Sequence, residues 1–417
     1  MNAMSTVYSR RAGHNGAMQT HPLADLAAEH ERDSSRARLG TGSIYGIFAC
    51  WTLFSVYVYS RYSQLGDARG YLTGQYEDAR EARTWLLNQI ATSIISLVRV
   101  DVLAHLVFSL FAASGVAYMA AQARVHGSHR WPLLALLLAP GFGVWASVVG
   151  RESLYIGLLG FFLGAIIGRF RQRGFLKGIL ALLCVGGMVF IRAPFGMAMA
   201  LFYVMAWMLM RGPRVGLSTG VQLLLLVVLG CVVLAFAWPH VDFYIQDSVL
   251  PKARSYFTTE SATTRTWIYI GATRELFSQL WWMLPLSIVG PTPGEVMARP
   301  VMFPFFLSGL VMLGLLLYGI GQMFRMPRGT PRKVAVLAWF PAIAITLVSY
   351  VPFGIYNPGS GIRYAASFLL LLVFPSMLRS ALDALAAEAL APPRPVGPWR
   401  GGRLVRPLNM DMQAETR

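Results

Sequence analysis

Apolar runs of membrane-spanning length recur from residue 44 to residue 380 of this chain. A bilayer core of about 30 Å takes roughly 20 consecutive apolar residues as helix, and ten runs come close to that length. They cover 44–60, 102–122, 131–149, 153–168, 176–191, 194–210, 217–237, 301–324, 333–352 and 364–380. A soluble protein would need a core far larger than single domains build. The expected fold class is therefore all-α: a polytopic integral membrane protein of about ten transmembrane helices. The transmembrane domain is 44–380, between a polar tail at 1–43 and a Pro/Arg-rich tail at 381–417. Charged residues make up 13% of the chain, about half the share usual in soluble proteins.

Direction follows from the basic residues of the short loops. Arg124, Arg130, Arg169, Arg171, Arg173, Lys177, Arg211, Arg214, Arg325, Arg328, Arg332 and Lys333 lie in one set of connections; Arg151, Arg192 and Arg363 lie in the other. Twelve against three predicts that the first set is cytoplasmic, together with both tails. The net charge of +17 is thereby explained by orientation signals and anionic lipid, and nucleic acid is not an expected partner. Cys50, Cys184 and Cys231 each fall inside an apolar run and form no disulfide framework or metal spacing. The N-terminal forty residues lack a short apolar segment with a cleavage site, so the first span is expected to be an uncleaved anchor.

Two long loops then face outward, 61–101 and 238–300. The first gathers Asp67, Arg69, Tyr71, Glu77, Asp78 and Arg80 directly after the first span. It continues into Trp85, Leu86, Ile90, Ile94 and Leu97 at helical spacing, which predicts an amphipathic helix on the membrane surface. The second holds His240, Asp242, Asp247, Arg254, Arg265 and Arg274 among Tyr244, Tyr256, Phe257, Trp267 and Tyr269. Its apolar segment 277–291 is expected to be interfacial or re-entrant. The short turns on this face add Arg151, Glu152, Arg192, Arg363 and Tyr364.

Snorkelling to headgroups is the plain explanation for charge at a bilayer edge. It accounts less well for arginines that run against the orientation bias. The guanidinium fork binds phosphate bidentately, so an outward set of them suits a phosphate-bearing lipid. A carboxylate among such cations stays ionised and can take the proton of an attacking sugar hydroxyl. The candidate bases are Asp67, Glu152 and His240. Ordinary ion pairs of Asp67 with Arg69 and of Glu152 with Arg151 are the competing explanation. The candidate phosphate and substrate ligands are Arg69, Tyr71, Arg151, Arg192, Arg254, Arg265, Arg274, Arg363 and Tyr364. No metal or other cofactor is expected.

An outward loop with Asp67 directly after the first span, followed by a surface helix, resembles the start of the GT-C class of membrane glycosyltransferases. That resemblance implies a catalytic-base role for Asp67. "PGFGVWASVVGRESLYIGLLG" (140–160) is similar to a Pro…Trp-x-Ser…Gly-Lys-Glu pattern of bacterial surface-polysaccharide membrane proteins, with Arg151 in place of the lysine. "NPGSGIRY" (357–364) is similar to their Gly-then-Arg loop. The late arginine-bearing loop resembles O-antigen-type repeat-unit polymerases and related ligases, which implies lipid-pyrophosphate binding by Arg254, Arg265 and Arg274. The resemblance implies an inner-membrane polymerase of polyprenyl-pyrophosphate-linked repeat units, making exopolysaccharide or O-antigen at the periplasmic face. Its expected partners are polyprenyl-linked sugars, membrane lipid and other polysaccharide-assembly proteins. A GT-C enzyme adding one sugar from a polyprenyl-phosphate donor remains open, as does a lipid-linked oligosaccharide transporter. An acyltransferase built on His105 is a further alternative.

Overall fold

The computed structural model describes residues 39–62, 65–76, 79–171, 174–211, 218–251, 253–254 and 265–390. Glu77, Asp78, Tyr256, Phe257 and most of both tails lie outside them. Among the described residues all regular structure is helical. Six helices among the described residues are long and apolar enough to cross a membrane: α1 (Thr41–Arg61), α4 (Asp101–Ala123), α7 (Arg151–Arg171), α9 (Ala193–Arg211), α14 (Pro300–Arg325) and α15 (Thr330–Gly354). Between them lie α2 (Ala68–Leu72), α3 (Ala82–Val98), α5 (Arg130–Leu138), α6 (Pro140–Ala146), α8 (Phe175–Ile191), α10 (Thr219–Tyr244), α11 (Thr273–Ser278), α12 (Leu280–Val289) and α13 (Pro293–Ala298). The chain closes with α16 (Pro358–Ala366), α17 (Leu369–Leu372) and α18 (Phe374–Leu390). The protein is thus an all-α membrane protein.

Helices α4 and α7 pack backbone to backbone. A Cβ on Gly115 would lie 2.1 Å from the Gly157 carbonyl oxygen, and one on Gly160 would lie 2.3 Å from the Gly115 carbonyl carbon. Only hydrogen fits there, and this close approach of small residues is how helices associate where lipid removes the hydrophobic drive.

Two runs expected as single spans are broken, and each has a break beside a proline. Pro140 forces Ala139 out of helical geometry, to ψ 122°. The Gly141 N–H then donates to Ser308 Oγ, and the Leu137 carbonyl it would have met accepts from Trp51 Nε1. Run 364–380 is likewise split into α16, α17 and α18. Pro375 has no N–H for the Leu371 carbonyl, and Trp339 Nε1 supplies the bond at 2.8 Å. Polar groups freed in an apolar interior need such partners.

Segment 277–291 forms α12, ten residues with Pro285 inside, about 15 Å long. It packs on α14 so tightly that a Cβ on Gly309 would overlap the Val289 carbonyl. Residues 265–298 are pinned to the bundle by Arg265, which is 2% exposed. Its Nε and Nη2 donate to the two oxygens of Glu295 at 2.7 and 2.8 Å, while Nη1 and Nη2 also reach the Ile355 and Gly290 carbonyls. Burial raises the Glu295 carboxyl, but the Arg265 fork and the Thr292 N–H outweigh it and hold it below the usual range. A carboxyl depressed on folding stabilises above its unfolded pKa and loses that contribution as pH falls. Acidification below about pH 4 should therefore release this segment, followed by proteolysis of the 265–298 region. Glu295→Gln should be cut at neutral pH, and an unchanged digestion pattern would count against the clamp.

Candidate functional site

The two ends of the bundle carry opposite kinds of polar cluster. At one, α18 is tied to the 124–130 connection by Arg124–Glu388, by His129 Nε2–Asp383 at 3.0 Å and by Ser380 to the Arg124 carbonyl. At the other end the turns before α2 and α9, the first turn of α7 and the helix α16 meet.

There Glu152, 1% exposed, sits at the head of α7. Its Oε1 accepts from Arg192 Nη2 at 2.6 Å and from Arg363 Nε at 2.8 Å. Arg363 Nη2 goes on to Asp67 Oδ2 at 2.8 Å, so four charged side chains from four separate parts of the sequence form one chain. The Arg363 guanidinium lies over the Trp145 ring, and that of Arg192 lies 4.4 Å from the Tyr364 ring centroid. Tyr364 is backed by Phe353, stacked at 4.9 Å. Arg192 Nε and Nη1 are buried and have no hydrogen-bond partner among the described residues. A guanidinium held by one carboxylate with further N–H groups unmet has donors to spare for an anion.

Gly66 makes the Asp67 end possible. Its φ is +59°, and a Cβ there would come within 2.3 Å of Arg363 Nη1. Gly66→Ala combines left-handed strain with displacement of Arg363. A loss of about 1–2 kcal/mol is expected; wild-type thermal stability would refute the tight approach.

Arg151 takes a separate path. Its Nε donates to Tyr71 Oη at 3.2 Å and its Nη2 to Thr84 Oγ1, with Glu81 3.9 Å away. Burial pushes the Tyr71 hydroxyl above its usual range, with Arg151 acting against it, so the phenol stays protonated. Glu81 is held below the usual range, chiefly by Arg83. The local pairings considered from sequence are not the ones formed. Asp67 bonds Arg363 rather than Arg69, which is exposed on α2, and Glu152 bonds Arg192 and Arg363 rather than Arg151.

Helix α3 roofs this end with an unusual polarity. Thr84, Leu87, Asn88 and Ala91 are its buried face, whereas Trp85, Leu86, Ile90 and Leu97 are exposed.

The other expected residues stand apart. His240 is exposed near the end of α10. Arg274 borders a shallow recess with Trp238, Asp242 and Phe277. Arg254 reaches the Ile270 carbonyl and lies over Tyr269, while Trp267 stacks on Trp282. Arg265 departs from the expected pyrophosphate ligand, because Glu295 and two carbonyls occupy its fork. His105 accepts the Val149 N–H through Nδ1 at 2.9 Å, a structural duty that removes that nitrogen from acyl transfer.

Sequence reasoning reached Trp145 only as the Trp of the quoted Trp-x-Ser pattern and missed Thr84, Glu81 and Gly66. Of these, only the Gly-Asp turn at 66–67 carried a signal. No family model matches the chain, and no curated protein or solved structure matches it either.

Proposed function

We propose that the protein is a membrane glycosyl-transfer enzyme acting on sugars linked to a polyprenyl phosphate or pyrophosphate. The observation that carries this reading is the Asp67–Arg363–Glu152–Arg192 chain: a reachable carboxylate tethered to a buried cationic centre with unmet N–H groups. Asp67 is the base. Its Oδ2 is held by Arg363, and Oδ1 has no hydrogen-bond partner among the described residues, so it can take the proton of an acceptor hydroxyl. Arg192 and Arg363 neutralise the departing phosphate, the larger electrostatic contribution. Glu152 is the positioning residue that fixes both guanidiniums.

In this reading the chain crosses a bacterial cytoplasmic membrane ten times, with both tails cytoplasmic and the Asp67 end periplasmic. The preferred reaction is polymerisation of repeat units of a surface polysaccharide. The test is the glycan profile of a strain lacking the protein. Single complete repeat units accumulating on lipid, with long chains absent, would support the polymerase. Units one sugar short would mean a single-sugar transferase, and a normal profile would overturn glycosyl transfer.

A further inference from the structure

The end of the bundle opposite Asp67 carries a cavity of about 610 Å³ between α7, α8, α9 and the start of α15. Arg151 and Arg169 lie at the two ends of α7, about 27 Å apart along its axis, so this is a separate place in the molecule. Arg169 and Arg211 stand on the cavity wall with Trp207 and Tyr203, and Ile179 and Leu182 continue it along α8. Arg211 lies 3.9 Å from the Trp207 ring centroid, a stacking that leaves the edges of its guanidinium for another partner. Arg169 rests against the bare backbone of Gly178, where a Cβ would lie 2.9 Å from its Nη1. Tyr203 donates to the Gly178 carbonyl and holds that turn to α9.

Among the described residues, neither arginine is paired with an acid. The sequence has no Asp or Glu from residue 153 to 241, nor from 296 to 382. Those stretches supply every residue that lines the cavity. The acids that follow the second stretch on α18, Asp383 and Glu388, are taken by Arg379, His129 and Arg124. Meanwhile the α8 face leading out of the cavity is greasy and bare: Phe175, Leu176, Leu182 and Leu183 are 82%, 78%, 56% and 68% exposed. Two uncompensated guanidiniums over an aromatic floor, opening onto an apolar helix face, fit a molecule with an anionic head and a hydrocarbon tail.

We propose that this cavity binds an anionic bilayer phospholipid. Its phosphate is held by Arg169 and Arg211, and an acyl chain runs along Ile179 and Leu182. Basic pockets between spans at a membrane edge take anionic headgroups for the same electrostatic reason. The proposal is independent of glycosyl transfer and rests only on the bundle lying in a membrane.

The test uses the full chain in detergent, titrated with phosphatidylglycerol or phosphatidylcholine. Bound lipid is read by native mass spectrometry and the melting temperature by intrinsic fluorescence. Wild type should retain phosphatidylglycerol in preference to phosphatidylcholine and melt higher with it. Affinity should fall about tenfold for each arginine changed to glutamine, with the lipid-free melting temperature of R169Q/R211Q unchanged. If that double variant does not fold, Leu182→Trp, which fills the chain path without touching charge, should also weaken retention. Equal binding of the two lipids, or variants that bind like wild type, would overturn the proposal. Displacement of phosphatidylglycerol by equimolar polyprenyl monophosphate would overturn the choice of a bilayer lipid.

Discussion

Glu152→Gln should yield a protein without measurable activity and with a clearly lowered melting temperature. The side chain keeps its shape, but two guanidiniums that shared one oxygen at 2.6 and 2.8 Å lose the charge between them, and only Arg363 keeps a carboxylate, Asp67. Their donor nitrogens lie about 5 Å apart at most, and at an effective dielectric near 20 the bare repulsion is about 3 kcal/mol. Removing one partner from a buried ion network costs a similar amount, about 3–5 kcal/mol. Pairing the change with Arg192→Met should restore much of the stability and none of the activity. That split separates a fold contribution from the positioning of Arg192 and Arg363. A Glu152→Gln protein that melts and turns over like wild type would remove Glu152 from the site.

Asp67→Asn should behave in the opposite way. The Asp67 side chain is 43% exposed and meets Arg363 through one oxygen. Exposed pairs contribute at most about 1 kcal/mol, and asparagine still offers Arg363 an acceptor. Melting should hardly move, whereas loss of a general base should lower turnover about 10²–10⁴-fold. Glycan analysis of cells carrying the variant, beside a melting curve of the purified protein, reads both. Full activity would eliminate Asp67 as the base and return the choice to the exposed His240. The two substitutions sit one guanidinium apart, so their contrast is the sharpest available probe of the site.

Much of this arrangement was legible in the sequence. Alternating apolar runs and loop charge predicted which turns share an end, and the structure brings Asp67, Tyr71, Arg151, Glu152, Arg192, Arg363 and Tyr364 together there. The partners within that end were not legible. Sequence proximity suggested Asp67–Arg69 and Glu152–Arg151. The pairs that form span 296 and 40 residues, and no periodicity encodes contacts across that distance. The Arg265–Glu295 clamp was hidden for a related reason. A buried arginine and a ligand-binding arginine look alike until the acceptors around them are known. The breaks at Pro140 and Pro375 were foreseeable from proline chemistry, but the tryptophans that repair them come from distant helices.

The inverted roof helix α3 carries a consequence for handling the protein. Ordinary surface helices are pressed down by their greasy side. This one buries Leu87 and Ala91 beside Thr84 and Asn88 and also turns Trp85, Ile90 and Leu97 away from the bundle, so in a membrane the lipid gives it a second apolar seat. Short-chain micelles replace that seat poorly. The geometry over Arg151 and Tyr71 is then partly a property of the bilayer's lateral pressure, and bilayer discs are the medium in which the Asp67 end should keep its shape.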